Sequence, residues 1–322
     1  MKNSEAFVRR DIEFKTEDGT VLRGYLHAEP NVAAPCIVMA HGFGGIKEHI
    51  DHYAAAFAAS GFTVIVYDHR GFGTSEGKLR LEVDPYVQMA DWRDVITQAT
   101  ELPEVDAATG VGLWGSSFAG GLAMVIGAND PRVRCVVAQI PQVSGHLNSR
   151  QMFSVEQRAE LERRLAADRR GRVAGEAPEM IPVFSSDPNT LCALPPIVEQ
   201  DFIDFALQDS PSWSNEVTLR SVAHLLEFEP AGWMPHLAPK PLLMIVGRAD
   251  TCTFPEVQLA AFESARHPKQ VLVHEGGHFD TYTDHFEQSS EAATSWFLEH
   301  LRDGEEFPSM AAVPTAVVLG TH

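Results

Sequence analysis

Short, unbroken apolar runs alternate with longer helical stretches along most of this chain, and that alternation restricts the fold more than any other feature. Residues 21–29, 34–42, 62–71, 110–115, 133–141, 241–250 and 269–277 read as strands. Residues 50–61, 85–102, 121–128, 255–265 and 285–301 read as helices, the first closing on a glycine suited to a C-terminal cap. A strand that is apolar throughout must be covered on both faces. The expectation is therefore an α/β fold, a mostly parallel sheet between layers of helix.

The alternation stops between about 143 and 235. Ser154 and Gln157 there form a capping-box pattern ahead of a charged helical stretch. Pro- and Ser-rich connections follow, then helical segments at 198–208 and 216–228. The region reads as a helical insertion. The ending 305–322 lies beyond the last helix and is read as a tail.

The chain has 322 residues, 44% of them hydrophobic, and a formal charge of −19. Such a surface repels nucleic acid and anionic membranes, so neither is expected as a partner. The cysteines at 36, 135, 192 and 252 form no CxxC pair, and neither a disulfide framework nor a structural zinc site is expected. Cys36 and Cys135 fall inside strands and read as core residues. No run reaches the roughly 18 apolar residues of a membrane helix, and the N-terminus carries no apolar signal core. The simplest compartment is the cytoplasm.

The stretch LWGSSFAGG (113–121) joins a buried strand to a helix and contains two serines. A serine hydroxyl needs a base to take its proton and donors to hold the oxyanion that forms. It must also project from a sharp strand-to-helix turn, which demands small residues two before and two after it. For Ser117 these are Gly115 and Ala119; for Ser116 they would be Trp114 and Phe118, which are too large. Ser117 is therefore the candidate nucleophile.

Its partners should follow in the order acid, then base. Asp250 ends the strand LLMIVGRAD, and His278 lies just past the next strand. Both fall at the carboxyl edge of the sheet, where α/β folds keep their sites. His274 lies within the strand itself and reads as a core or edge histidine. Asp280 is too close in sequence to His278 to face its ring. The glycines of AHGFGG (40–45) let a backbone N–H turn toward a ligand, so Phe43 and Phe118 are the candidate oxyanion donors.

Together, AHGFGG, YDHRGFGTSEG (67–77), GSSFAGG, GRAD and GGHFD resemble the α/β-hydrolase superfamily. VVAQIPQVSG (136–145) and GGHFDTYTDHFEQ resemble a narrower group. It holds bacterial dienelactone-hydrolase-like and acyl-peptidase-like enzymes together with fungal polyketide transferases and thiohydrolases. That group's nucleophile turn, acid and histidine match Ser117, Asp250 and His278, with Ala119 in place of the commoner glycine. The resemblance implies an eight-stranded sheet with a helical lid after the sixth strand. The core would comprise 1–142 and 236–304, with the lid at 143–235.

Other motifs carry less. The third glycine of GFGTSEG (71–77) comes one residue too late for a dinucleotide loop, and GFGGIK (42–47) has the wrong lysine spacing for a phosphate loop. His49 and His52 lack an evident third metal ligand and read as part of a solvated or site-rim helix. Arg163, Arg164, Arg169, Arg170 and Arg172 read as a solvated helix face, with recognition of an acidic partner as the alternative. A serine nucleophile argues against haloalkane dehalogenase and epoxide hydrolase chemistry, which uses a carboxylate.

The expected activity is hydrolysis of an ester or thioester of an apolar acyl group through an acyl-enzyme, without cofactor or metal. Each oxyanion donor would be worth about 3 kcal/mol. Phe153, Met180, Phe184, Phe202, Phe205, Trp213 and Trp233 of the insertion could line the acyl pocket. Of these Phe205 and Trp213, together with His41, are the candidate substrate contacts. An alcohol intercepting the acyl-enzyme would instead make an acyltransferase. Carbon–carbon bond hydrolysis and a catalytically silent binding protein are further alternatives. The partner is a small acyl substrate, and a homodimer is compatible with this reading.

Overall fold

A computed structural model describes residues 7–194 and 210–302. Ten strands occur in chain order among them: β1 (Val8–Lys15), β2 (Val21–Ala28), β3 (Cys36–Ala40), β4 (Thr63–Tyr67), β5 (Val111–Ser116), β6 (Val133–Gln139), β7 (Met180–Pro182), β8 (Glu216–Thr218), β9 (Leu242–Gly247) and β10 (Lys269–His274). All but β7 and β8 form one eight-stranded sheet in the order β1-β2-β4-β3-β5-β6-β9-β10. The pairs from β4 to β10 are parallel, whereas β2 runs antiparallel to both β1 and β4. This is the α/β-hydrolase architecture that the sequence resemblance implied.

β1 escaped the apolar-run reading. Five of its eight residues are charged and only Ile12 and Phe14 are buried, as suits an edge strand with one face in water.

The helices are α1 (Asp51–Ala59), α2 (Pro85–Ala99), α3 (Phe118–Asn129), α4 (Gly145–Met152), α5 (Val155–Val173), α6 (Leu219–Glu227), α7 (Pro255–Ser264) and α8 (Phe286–Phe297). Central strands are buried apart from half-buried Arg134 of β6, and successive side chains feed opposite layers. Val38, Leu113 and Val136 join Trp92, Leu122 and Phe262 in the layer under α2, α3 and α7. Ile37, Trp114 and Val137 join Tyr53, Phe57 and Phe297 in the layer under α1 and α8. Local signals set the ends: Asp84 caps α2 by accepting from the N–H groups of Tyr86 and Val87, with Pro85 in the first turn.

The connection from β6 to β9 leaves the sheet after its sixth strand. Its capping box is present at the start of α5: Ser154 Oγ accepts from Gln157 N–H at 3.1 Å, and Gln157 Oε1 accepts from Ser154 N–H at 2.9 Å. The segment 216–228 is not wholly helical. Its first three residues form β8, which pairs antiparallel with β7. Val217 and Thr218 are β-branched and buried, and a partner strand overrides the helical pattern there. The expected helix at 198–208, with Phe202 and Phe205, lies outside the described residues. No helix among the described residues is long and apolar enough to cross a membrane.

Candidate active site

Four parallel strands bring their carboxyl ends together, and the candidate residues lie in the loops that follow. Ser117 stands between β5 and α3 with φ 57 and ψ −121, a backbone conformation that few non-glycine residues hold. The close turn explains its small neighbours. A Cβ on Gly115 would lie 2.2 Å from the Ala119 carbonyl oxygen, and one on Gly120 would lie 2.9 Å from Pro141 Cβ. The turn is anchored where Ser117 N–H donates to Gln139 O at 2.8 Å and Gln142 N–H donates to Ser117 O at 2.9 Å. α3 therefore begins directly at Phe118, three residues earlier than its sequence suggests.

The two serines of the motif face different surroundings. Ser117 is partly exposed to a cavity, whereas Ser116 is fully buried and its hydroxyl lies 2.6 Å from the hydroxyl of Tyr282.

The loops after β9 and β10 are bound to each other: Arg248 N–H donates to His274 O at 2.8 Å and Ala249 N–H to Gly276 O at 3.1 Å. That pairing brings Asp250 beside His278. His278 Nδ1 lies 2.8 Å from Asp250 Oδ2, and His278 Nε2 lies 3.0 Å from Ser117 Oγ. With Nδ1 donating to the carboxylate, Nε2 is an acceptor facing the serine hydroxyl.

Asp250 is 2% exposed. Burial by itself raises a carboxyl pKa, but His278 and the Thr253 donors outweigh it and hold this one below its ordinary value. Its Oδ1 accepts from the N–H groups of Cys252 (2.7 Å) and Thr253 (2.9 Å), and its Oδ2 accepts from Thr253 Oγ at 2.7 Å. Sequence reasoning missed Thr253. An Asp with a hydroxyl residue three positions on is the Asx-turn signal that could have found it.

The rejected candidates have other work. Asp280 Oδ2 accepts from Gly277 N–H at 2.8 Å and closes the loop bearing His278. His274 is 3% exposed, accepts from Gly276 N–H at 3.1 Å and stacks on His285.

The AHGFGG loop lies against the serine, since a Cβ on Gly42 would approach Ser117 Cβ to 3.1 Å. The Phe43 and Phe118 rings meet edge to face at 5.8 Å. Phe118 opens α3, so its N–H has no acceptor within the helix. His41 accepts at Nε2 from His69 N–H (3.1 Å), and its Nδ1 lies 3.0 Å from Gly42 O. Burial holds its pKa below the ordinary value. It braces the loop, with both ring nitrogens occupied by backbone.

The loop is tied down beneath by a buried ion pair. Lys47 Nζ lies 2.7 Å from Asp68 Oδ2, while Asp68 also accepts from the N–H groups of Lys47 and Thr74, each at 2.8 Å. Gly73 must be glycine there, because a Cβ would meet the Asp68 carboxylate at 2.2 Å. GFGGIK and GFGTSEG are thus two halves of one bracing network.

A cavity of about 280 Å³ opens over Ser117 and His278. Phe184, Leu194 and Trp213 from the β6–β9 connection form part of its wall, and His41, His49 and His52 also line it. Of the remaining aromatics from that connection, Phe153 is buried and Trp233 is exposed, and neither lines the cavity. Among the described residues one group of three potential metal ligands gathers, Asp250, Cys252 and His278, and it includes neither His49 nor His52. All four cysteines are buried and unbridged.

A family model described as Hydrolase_4, serine aminopeptidase S33, matches residues 32–285. The chain is 30% identical over 286 residues to a thiohydrolase of Eupenicillium brefeldianum, covering 87% of this chain and 90% of that one. It is 30% identical over 277 residues to polyketide transferase ATR5 of Stachybotrys chlorohalonatus, covering 84% and 90%. A solved structure of DcsB with its substrate analogue superposes with a TM-score of 0.81 at 28% identity, covering 92% of this chain and all of that one.

Proposed function

The chain belongs to the serine aminopeptidase S33 family, Hydrolase_4, of the α/β-hydrolases, and from that premise we propose that it cleaves an ester or thioester of an apolar acyl group through a Ser117–His278–Asp250 triad. The observation that carries the reading is the continuous pair of contacts at His278, 3.0 Å to Ser117 Oγ and 2.8 Å to Asp250 Oδ2. His278 takes the serine proton as Ser117 attacks the carbonyl, then returns it to the leaving group. Asp250 holds the imidazole tautomer and stabilises its charged form. The N–H groups of Phe43 and Phe118 receive the oxyanion. Water, activated by the same histidine, releases the acid from the acyl-enzyme.

Residues 143–235 act in this reading as a lid, with Phe184, Leu194 and Trp213 contacting the acyl chain. The cavity wall there is apolar, which favours an apolar acyl group over a charged one. Relatives named as polyketide transferases support a second reading, in which an alcohol takes the acyl group from Ser117 instead of water.

The test is labelling with a fluorophosphonate probe and turnover of p-nitrophenyl esters and acyl thioesters by wild type and Ser117→Ala. Wild type is expected to label and turn over, and Ser117→Ala to do neither. Undiminished turnover by folded Ser117→Ala overturns the assignment. Product analysis with water and an alcohol in competition separates hydrolysis from transfer.

A further inference from the structure

The loop that carries Phe43 is held from outside the core. Within the loop, Gly45 N–H donates to Gly42 O at 3.2 Å. The Gly44 carbonyl turns the other way and accepts from the indole N–H of Trp213 at 2.8 Å. Gly44 has φ 65, and a Cβ there would lie 3.0 Å from Val183 Cγ2. Val183 and Trp213 belong to one unit of the β6–β9 connection: Val183 N–H donates to Asn215 O at 3.1 Å, and Leu194 N–H donates to Val183 O at 2.9 Å. Trp213 is 6% exposed, sits edge-on to His49 at 5.7 Å, and lines the cavity above Ser117. One side chain thus touches both the acyl cavity and the residue next to Phe43.

We propose that Trp213 is a positioning residue that couples filling of the acyl cavity to the placement of the Phe43 N–H. The inference rests on the hydrolase reading above. A loop of three glycines in five residues has many accessible backbone states. An oxyanion donor acts only when it is held at hydrogen-bonding distance from the developing charge. The Trp213–Gly44 bond removes that freedom while the indole is seated, and an acyl chain packed on the indole keeps it seated. Binding energy from the distant end of the substrate is then expressed in kcat more than in KM.

Two substitutions separate the hydrogen bond from the packing. Trp213→Phe keeps an aromatic wall and loses the donor. Trp213→His can present Nε2–H at the ring position of the indole nitrogen. Kinetics of p-nitrophenyl esters from acetyl to decanoyl are measured with Tm and fluorophosphonate labelling. In wild type kcat is expected to rise with acyl length. Trp213→Phe is expected to lower kcat about tenfold and flatten that rise, with KM within about threefold and labelling retained; Trp213→His regains part of the loss. An unchanged kcat with only KM or Tm moved overturns the proposal, as does a histidine variant no better than phenylalanine. If Trp213→Phe does not fold, Trp213→His decides alone: a change confined to KM overturns the coupling. A wild type that neither labels nor turns over sinks the hydrolase reading itself, a different outcome from an active enzyme indifferent to Trp213.

Discussion

The hydroxyl of buried Ser116 lies 2.6 Å from that of half-buried Tyr282, 166 residues away in sequence. Gln139 Nε2 also reaches Ser116 Oγ, at 3.4 Å. The serine beside the candidate nucleophile therefore ties β5 to the segment after His278. Ser116→Ala leaves the Tyr282 hydroxyl without that partner and should cost about 1–3 kcal/mol, with turnover within about threefold of wild type. Ser117→Ala should leave Tm nearly unchanged and lower kcat by roughly 10⁵. Thermal melts and ester kinetics on the two variants decide between neighbouring residues; a catalytic collapse in Ser116→Ala would refute the division.

Thr253 holds the acid. Its hydroxyl donates to Asp250 Oδ2 at 2.7 Å and accepts from Gln258 Nε2 at 3.1 Å. Thr253→Val keeps the shape and removes this link, so the carboxylate is freer to turn from His278. A fall in kcat of about tenfold with little change in KM is expected. With fewer donors on Asp250, its pKa moves back up, and the acid limb of stability moves up with it. Unaltered kcat in Thr253→Val would remove Thr253 from the positioning scheme.

Breaking the Lys47–Asp68 pair should be costly out of proportion to its surface. The side chains are 3% and 0% exposed. Asp68→Asn takes one of two carboxylates from the buried ammonium, leaving Glu48 at 2.8 Å, with the Thr74 hydroxyl at 3.0 Å and the Tyr25 ring at 4.8 Å as neutral neighbours. A loss of about 3 kcal/mol is expected by denaturant titration. Lys47→Met with Asp68→Asn should lose less than the sum of the single changes, because neither charge is then stranded. Strict additivity would mean the pair is not coupled.

Buried histidines set an acid limit on stability. His41 and His69 are 2% and 1% exposed, and burial holds both below the ordinary histidine pKa, His69 further because His41 adjoins it. Both stay neutral in the fold, so the unfolded chain takes up protons first as pH falls below about 6.5. Stability then declines by up to about 1.4 kcal/mol per pH unit for each histidine, levelling once the folded form also protonates. Tm measured from pH 7.5 to 5.0 should fall, and His69→Leu should flatten the slope. An equal slope in the variant would exclude His69 as a contributor.

Much of this was legible because it is local. Apolar periodicity marked the inner strands, and steric limits around a tight turn selected Ser117 over Ser116. Chain order named Asp250 and His278, and these three side chains do meet although Ser117 and His278 stand 161 residues apart. β1 was not legible, since an edge strand with one wet face carries little apolar signal. Nor was β8, whose three residues take their conformation from a partner strand.

What the sequence by itself determined, then, is most of the sheet-and-helix order and which loops bear the candidate side chains, because strand pattern and turn chemistry depend on neighbours within a few residues. Tertiary structure alone decided that Lys47 lies buried against Asp68 and that Trp213 bonds to Gly44. Both contacts join segments distant in sequence that only the tertiary fold brings together. An ammonium or an indole N–H reads as ordinary in sequence, and takes on a role when burial restricts the partners it can reach.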